Sequence, residues 1–598
     1  MACATTNCDP PSADSRVPTT NTGGSSKLYL PYLLLISGLG GLLAGVDFGI
    51  IATAILYLNK TISLTEGQLS FVVAIYTGGC MVAALLAGML ADWVGRKKIM
   101  IAGGAMFVGS ILLIYTSQGF MPLLLGRILM GLSGGVICVV VPLYMAECLS
   151  SNIRGRGTAI FQFMLTFGIV MAGLIGVVFT RRHDVAIAAA GGDLARIFAA
   201  DDAAWRNMFL VAAIPGVFYT LGAFFIRESP RWLFLRHRAA EAEAVLRLSR
   251  SEEQTRFEMS EMGAHSDRRE GGGLMDLVRS LAQRKYVMPF VIACIVLACT
   301  QATGINSILA YAVVILKQAG LNDVQASQGN TLITVLNCAM TIVGAALVDR
   351  VGRKFLLKTG TGGIILALLA GAFLYRHFES QRVDVGAVVT RQISADGQSL
   401  SIRVDEATLG RLPGGQAAQL NVLYRYDDGQ GHKRQDVATA FSNASDESAR
   451  LLVIKPKTDD KGRVIDSGKL IIERAKYGPI PSATAGWLIT GMLCLFIASF
   501  SVGPGVCVWL ALTELMPTRI RSMGMGIAML LNSGVSFLIA LVFLPTVGYY
   551  GYSAMFFFWA GCTVVYFITA AFFMPETKGK TLEEIEDYFE GKKPKAEA

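Results

Sequence analysis

Charged residues are scarce in this chain of 598 residues, and their scarcity excludes most soluble classes of protein. Only 16% of the residues are Asp, Glu, Lys or Arg, against about 25% in an average soluble domain, whereas 53% are hydrophobic. The mean hydropathy is +0.50. The net charge of +9 does not indicate a nucleic-acid partner, because much of the basic excess falls in short loops beside apolar segments, as membrane topology requires.

The sequence also lacks paired-cysteine motifs and a leader of the secretory type. Most of the eleven cysteines stand singly inside apolar runs, where a free thiol behaves as a small hydrophobe. We therefore expect no disulfide framework, no metal site and no cofactor. Residues 1–28 are rich in Ser, Thr and Pro but have no basic start followed by a short apolar core. They are interpreted as a flexible cytosolic tail ahead of an uncleaved first span.

The chain is rich in long apolar runs. Twelve of them are long enough to cross a bilayer as helices, which predicts an all-α membrane protein. Lys and Arg cluster in the loops after spans 2, 4, 8 and 10, so both termini are expected in the cytosol. The runs lie at roughly 30–57, 68–90, 99–117, 121–147, 157–179, 207–226, 287–317, 329–348, 355–376, 484–511, 522–546 and 552–573.

Two polar stretches interrupt the apolar runs. Residues 228–285 are arginine-rich with helical spacing, which is typical of either a solvated linker or a latch between the two halves. Residues 378–480 have mixed charge, turn signals and period-two alternation at 420–426, which predicts a small antiparallel β domain. The predicted organisation is a tail (1–28), a first six-helix bundle (29–227), a cytosolic helical linker (228–285), three helices of a second bundle (286–377), an extracytoplasmic β-rich insert (378–480), the last three helices (481–574) and a cytosolic tail with a short helix (575–598).

The two halves repeat each other at the ends of matching spans. An Asp-x-x-Gly-Arg-Lys motif after span 2 recurs after span 8, and a Glu/Arg pair after span 4 recurs after span 10. Parallel repeats about an axis along the membrane normal produce this order. The basic residues also satisfy the positive-inside rule, but the repeated acids favour gating clusters that break when the halves separate. The candidate gating residues are Asp92, Gly95, Arg96, Glu147, Arg154, Asp349, Gly352, Arg353, Glu514 and Arg521.

Eight short motifs resemble those of the sugar-porter family of the major facilitator superfamily. The resemblance covers nearly everything except the tails and the insert, and the segment 162–170 is similar to bacterial proton-linked arabinose, galactose and xylose porters. It implies two six-helix bundles that carry a monosaccharide across the bilayer. The motifs are GRKK at 95–98, PLYMAE at 142–147, ESPRWL at 228–233, QATGIN at 301–306, DRVGRK at 349–354, GPG at 503–505, TELMPTRIRS at 513–522 and PETKG at 575–579.

Neutral polar side chains inside the spans form the candidate substrate site. A sugar needs hydrogen bonds to amides and an aromatic face, and buried amides are costly unless they face a cavity. The resemblance assigns the same positions to the family's sugar-binding site, whereas hydrogen bonding between packed helices is the structural alternative. Gly304 is a position at which span 7 could loosen. The candidate substrate-binding residues are Gln162, Gln301, Asn306, Asn337, Trp509 and Asn532.

One acid and one base form the candidate coupling site. Asp47 is the only charge in span 1, and Arg127 is the only charge in span 4 before its cytosolic end. An ionisable side chain within a span is a functional candidate by default, although a static buried ion pair is the alternative. In the family that the motifs resemble, an acid at this position of span 1 marks proton symporters.

These patterns together predict a proton-coupled importer of a pentose or hexose that works by alternating access. A facilitative sugar or polyol transporter and, less favoured, a non-transporting sugar sensor are the alternatives. We expect no enzymatic activity and a functional monomer whose partners are the sugar, the proton and the lipid bilayer. A bacterial inner membrane is the expected location, or a plasma membrane if the source is eukaryotic.

Overall fold

The computed structural model describes residues 26–62, 64–149, 151–266, 284–409, 418–427, 433–442, 450–456, 468–516, 521–576 and residue 589. Within these residues, twelve helical segments are long and apolar enough to cross a membrane, which confirms the predicted fold class. The tail before residue 26 and the short helix predicted after Glu576 lie outside the described residues, apart from Phe589.

The first six spans are single helices. In the described part of the linker, three short helices follow them, and the first begins with Ser229 as N-cap and Pro230 at the first turn, as the sequence predicts. The spans are α1 Ser26–Thr61, α2 Glu66–Val94, α3 Arg96–Tyr115, α4 Phe120–Cys148, α5 Ser151–Ala190 and α6 Leu194–Phe225, and the linker helices are α7 Pro230–Leu235, α8 Ala239–Leu246 and α9 Glu252–Ser266.

Span 7 is broken in the middle, whereas spans 8 and 9 are continuous. The break follows Gly304, which has φ of 84° in the left-handed region that favours glycine. The helices are α10 Arg284–Ala302 and α11 Ile305–Gln318 for span 7, α12 Asp323–Val351 for span 8 and α13 Arg353–Ser380 for span 9.

The described residues of the insert form two antiparallel sheets. The larger has the strand order β1-β6-β3-β4, and the smaller pairs β2 with β5. In β3 the side chains of Leu420, Val422, Tyr424 and Tyr426 are buried, as their alternation predicts. The elements are β1 Val383–Asp384, α14 Gly386–Arg391, β2 Leu400–Arg403, α15 Glu406–Leu409, β3 Ala418–Asp427, β4 Lys433–Phe441, β5 Leu451–Ile454 and β6 Lys469–Pro479.

The last three spans complete the second bundle. Span 10 divides at Gly503, the first glycine of the GPG motif. The helices are α16 Ala483–Val502 and α17 Pro504–Leu515 for span 10, α18 Arg521–Tyr550 for span 11 and α19 Tyr552–Ile568 for span 12, which continues as a π-helical turn over Thr569–Phe573.

Small residues let the helices pack closely. A Cβ on Gly45 would overlap with the backbone carbonyl of Leu165, and one on Gly131 with that of Tyr76, so α1 meets α5 and α2 meets α4 at backbone distance. Large apolar side chains such as Phe225 (77% exposed) and Leu366 (67% exposed) point away from the protein interior, as lipid contact requires.

The halves meet along three pairs of helices. Helix α2 packs against α18, α5 against α12, and α1 against α11. We call the end of the bundles that carries the β sheets the insert face, and the end that carries α7, α8 and α9 the linker face. These contacts define a seam between two similar bundles.

Candidate functional site

A hydrogen-bonded amide cluster joins span 7 to span 11. Gln301 Nε2 donates to Asn532 Oδ1 at 3.2 Å. Asn306 Nδ2 lies 2.8 Å from Gln301 Oε1 and 2.7 Å from Ser536 Oγ. The structure therefore brings three of the sequence-predicted substrate residues together and adds Ser536, which lies one helical turn after Asn532. We call these four residues the amide cluster.

The break in span 7 positions this cluster. Gly304 lies between Gln301 and Asn306, and its positive φ turns the chain before α11 begins. A Cβ at Gly304 would overlap with the indole of Trp559, so the ring of span 12 packs directly on the break. Gln301 and Asn306 remain partly exposed beside it, which leaves their amides accessible to a ligand.

The other substrate candidates are not members of the amide cluster. Asn337 is buried and accepts a hydrogen bond from Ser501 Oγ at 2.7 Å, which links span 8 to span 10. Gln162 is exposed on α5, one turn before Thr166, whose hydroxyl lies 3.5 Å from Cys338 Sγ in span 8. Residues four apart share a helix face, so Gln162 lies on the side of α5 turned towards the other half. Trp509 lies in α17, but its side chain is outside the described set.

The amide cluster can recognise a neutral polyhydroxylated ligand. Each amide offers a carbonyl acceptor and an NH₂ donor, and Ser536 offers a hydroxyl that both donates and accepts. In the described structure these groups form hydrogen bonds with one another. A bound sugar would replace those hydrogen bonds with bonds to its own hydroxyl groups, at a small net cost in free energy. No described member of the cluster carries a formal charge, which suits a sugar without an acidic group.

Asp47 and Arg127 are both buried, but they do not touch. Asp47 is 1% exposed, and neither of its carboxylate oxygens has a hydrogen-bond partner among the described residues. Arg127 Nε donates to Val72 O at 3.3 Å, and the guanidinium lies over the Tyr76 ring, 5.1 Å from its centroid. Arg127 acts on Asp47 electrostatically. The structure therefore holds a carboxyl group without a direct partner beside a buried cation.

At the linker face of the first half, Arg96 is the centre of a charged cluster. Arg96 Nη2 lies 2.6 Å from Asp92 Oδ1 and 2.9 Å from Glu147 Oε1. Ser229 Oγ donates to Glu147 Oε2 at 2.5 Å. Three gating candidates, from spans 2, 3 and 4, thus meet at one point, and the linker contributes to it.

Glu228 closes the same cluster from the start of the linker. Its carboxylate accepts the backbone N–H groups of Arg96 at 2.9 Å and of Lys97 at 3.1 Å. These are orphan amides at the N-terminus of α3, where a negative charge is favoured. Gly95, with φ of 109°, makes room, because a Cβ there would overlap with Glu228.

The second half repeats this arrangement with Glu576. Its carboxylate accepts the backbone N–H groups of Arg353 and Lys354, both at 3.1 Å. Gly352 has φ of 98°, and a Cβ there would lie 2.8 Å from Glu576 Oε2. Arg353 Nη1 donates to Val348 O at 3.3 Å, as Arg96 Nη1 does to Ala91 O at 3.1 Å. The repeat seen in the sequence is thus a repeat of hydrogen-bond geometry.

Sequence reasoning assigned no role to Glu228 or Glu576. Each is the acid of a quoted motif, ESPRWL after span 6 and PETKG after span 12, so their matching positions were a usable signal. The predicted spans leave Arg154, Asp349, Glu514 and Arg521 beyond their ends, whereas these residues lie within helices α5, α12, α17 and α18. Their side chains are outside the described set.

The comparisons with known proteins agree with this fold. The profile of the family described as sugar (and other) transporters matches residues 33–390 and 470–589, which flank most of the insert. The chain therefore belongs to the sugar transporter family. It is 28% identical over 574 residues to the human proton myo-inositol cotransporter, covering 94% of this chain and 82% of that protein.

Two further relatives extend the comparison. The glucose transporter GlcP of Staphylococcus epidermidis is 26% identical over 559 residues, covering 93% of this chain and 96% of GlcP. The inward open conformation of the xylose transporter XylE from E. coli superposes with a TM-score of 0.62 at 21% identity, covering 94% of this chain and all of that chain. This last likeness shows the major facilitator fold.

Proposed function

We propose that this protein is a proton-coupled monosaccharide importer that works by alternating access. The observation that carries the proposal is Asp47, a buried carboxyl group whose oxygens have no hydrogen-bond partner among the described residues and which lies in the field of Arg127. A membrane-embedded acid is a candidate proton carrier when its surroundings change during a cycle. Relatives named as a proton myo-inositol cotransporter and as glucose and xylose transporters support the class.

The amide cluster is the proposed sugar site. Gln301, Asn306 and Asn532 bind the hydroxyl groups, and Ser536 completes the set. Gln162 and Asn337 lie along the same seam, and in this proposal Gln162, Asn337 and Trp509 contact the sugar when the halves close around it. Because the cluster is neutral, the proton is carried elsewhere, at Asp47, and coupling acts through the movement of span 1 against spans 4 and 7.

The linker face is proposed to be cytosolic. Short loops rich in Lys and Arg lie there, as the positive-inside rule requires. The Arg96 and Arg353 clusters hold the helices of each half together. Together with Arg154, Asp349, Glu514 and Arg521 they lock the outward-facing state when the two halves meet at this face. An energy difference of about 1–3 kcal/mol is enough to bias such a two-state equilibrium.

Asp47→Asn tests the proposal directly. In proteoliposomes with an imposed pH gradient, we expect Asp47→Asn to abolish uphill sugar accumulation and to retain sugar counterflow, which needs no net proton movement. Glu253→Gln is the matched control, because Glu253 is exposed on α9 and its change removes the same charge. Loss of counterflow in a correctly folded Asp47→Asn protein would make Asp47 structural.

A facilitative sugar or polyol transporter is the second candidate. It is favoured by relatives described as facilitated glucose transporter member 12, at 26% identity. In that case the wild-type protein equilibrates the sugar without alkalinising a weakly buffered external medium, and Asp47→Asn leaves transport unchanged. A panel of pentoses, hexoses and inositol identifies the substrate in the same assay.

A further inference from the structure

A cavity lies at the insert face, apart from the amide cluster. Its volume is about 390 Å³, within the range of small-ligand sites. The sheet of the insert forms one wall through β3, β4 and β6, and the ends of spans from both halves form the rest. None of the four residues of the amide cluster lines it. The insert therefore covers one side of a space between the ends of the two bundles.

The charge in this cavity is predominantly positive. Glu66 and Glu379 are the acids among its lining residues, and Glu379 is already occupied by the backbone N–H of Tyr552 at 2.7 Å. Two of the lining cations are neutralised by acids outside the lining set, because Lys60 lies 3.1 Å from Asp201 and Lys317 lies 2.6 Å from Asp323. The lining cations are Lys60, Lys317, Arg382, Arg474 and Lys476.

Arg382 and Lys476 are the lining cations that can still bind an anion. The Nε of Arg382 is buried and has no hydrogen-bond partner among the described residues. Burial lowers the pKa of Arg382 from its ordinary value, and the neighbouring Glu379 acts in the opposite direction. Lys476 forms no ion pair with any residue that the structure describes. A buried donor without a partner is costly, and an anion between these two side chains would supply the missing acceptor.

The remaining lining groups fit a carbohydrate better than a bare anion. Asn421 and Thr439 present an amide and a hydroxyl from adjacent strands, joined by a 2.7 Å hydrogen bond. Tyr549 and Tyr552 add aromatic side chains to the lining. Hydroxyl-binding groups, aromatic side chains and two available cations occur together, and a cavity of this size accommodates one monosaccharide.

We propose that this cavity binds a monosaccharide that carries a carboxylate, a sugar acid, at a site distinct from the transport site. The carboxylate lies between Arg382 and Lys476, and the hydroxyl groups contact Asn421 and Thr439. Because strands of the insert form one wall of the cavity, the site is a property of this chain's insertion between spans 9 and 10. It does not depend on proton coupling or on the identity of the transported sugar.

Equilibrium binding to the full-length protein tests this proposal. Isothermal titration calorimetry in lipid nanodiscs, without any gradient, would use glucuronate as the probe, with glucose and inorganic phosphate as comparison ligands. We expect glucuronate to bind, and its affinity to fall at least tenfold in Arg382→Gln and in Lys476→Gln. Lys455→Gln is the matched control, because Lys455 is an exposed cation of the same insert and does not line the cavity.

Two further arms separate this site from its rivals. Asn532→Ala disables the amide cluster, so glucuronate binding that persists in Asn532→Ala supports a distinct site, whereas binding lost there and kept in Arg382→Gln overturns the proposal. Phosphate binding as tight as glucuronate binding would mean that the cavity is a simple anion site, which would also overturn the proposal. The absence of glucuronate binding to the wild type would overturn it as well. If Arg382→Gln fails to fold, Lys476→Gln keeps the test decisive.

Discussion

Glu379, at the end of span 9, holds the start of span 12 next to Gly551. Its Oε1 accepts the backbone N–H of Tyr552 at 2.7 Å, and a Cβ on Gly551 would overlap with the same carboxylate. Glu228 with Gly95 and Glu576 with Gly352 have the same relationship at the linker face. In all three cases a glycine with positive φ separates two spans, and a distant carboxylate caps the helix that follows.

Gly551→Ala should destabilise the protein by about 1–3 kcal/mol, because alanine is strained at a φ of 90° and its Cβ displaces Glu379. Gly561→Ala is the matched control in the same helix, since a Cβ there has open space and alanine favours helix by up to about 1 kcal/mol. Thermal unfolding in detergent compares the two variants. Equal stability of the two would contradict the assigned role of Gly551.

Glu228→Gln and Glu576→Gln should each cost about 1 kcal/mol, because a neutral amide replaces a carboxylate at a helix N-terminus. The symmetry of the two clusters predicts losses of similar size and slower sugar counterflow in both variants. Glu241→Gln serves as the control, because Glu241 is an exposed linker acid paired with Arg238. Unchanged counterflow and stability in both Glu228→Gln and Glu576→Gln would exclude these two residues from the gating mechanism.

Asn532→Ala should raise the KM for the transported sugar about tenfold or more, because it removes a direct hydrogen-bonding group and leaves the Gln301 amide without its acceptor. Gln254→Ala, an exposed amide of the linker, should leave KM unchanged. Counterflow at a range of sugar concentrations measures both values. A normal KM in Asn532→Ala would mean that the amides serve only to join spans 7 and 11.

Asp436→Ala should loosen the insert face. Asp436 in β4 accepts the backbone N–H of Glu66 at 2.9 Å, which connects the insert in the second half to the start of α2 in the first. This bond must break whenever the halves separate at that face. Hydrogen–deuterium exchange of residues 64–70 should therefore accelerate in Asp436→Ala.

Asp384→Ala provides the comparison for the insert. The Asp384 carboxylate accepts the N–H of Gly386 at 2.8 Å, so its bond stays within the insert. Exchange of residues 64–70 should be as slow in Asp384→Ala as in the wild type. Equal acceleration in the two variants would mean that the insert unfolds locally and that the halves do not separate more readily.

Local sequence patterns were sufficient to predict most of the architecture. The twelve spans follow from hydropathy, because a bilayer imposes a helix on any apolar run of the required length. The buried face of β3 follows from alternation at residues 420–426, and the break in span 7 follows from Gly304. The repeated Asp-x-x-Gly-Arg-Lys motif predicted that Asp92 and Arg96 act together, and they lie 2.6 Å apart.

Those local patterns could not predict contacts between residues that lie far apart in the chain. Glu228, Glu379 and Glu576 cap helices that begin 132 to 223 residues away. The sequence allowed a direct pair between Asp47 and Arg127, whereas the guanidinium instead lies over Tyr76. Gln301, Asn306 and Asn532 were predicted as separate members of one site, but only packing of span 7 on span 11 made them a hydrogen-bonded cluster with Ser536.

Hydropathy, periodicity and short motifs are local properties, so the amino-acid sequence alone was enough to predict the number of spans, the family and the residue types available in each span. Which of those residues meet depends on the tertiary structure. It placed the insert across both halves and so created the cationic cavity, and it left Asp47 buried without a direct partner. Such contacts depend on how helices from distant parts of the chain pack, and helix packing is set by the shapes of all the side chains at an interface together.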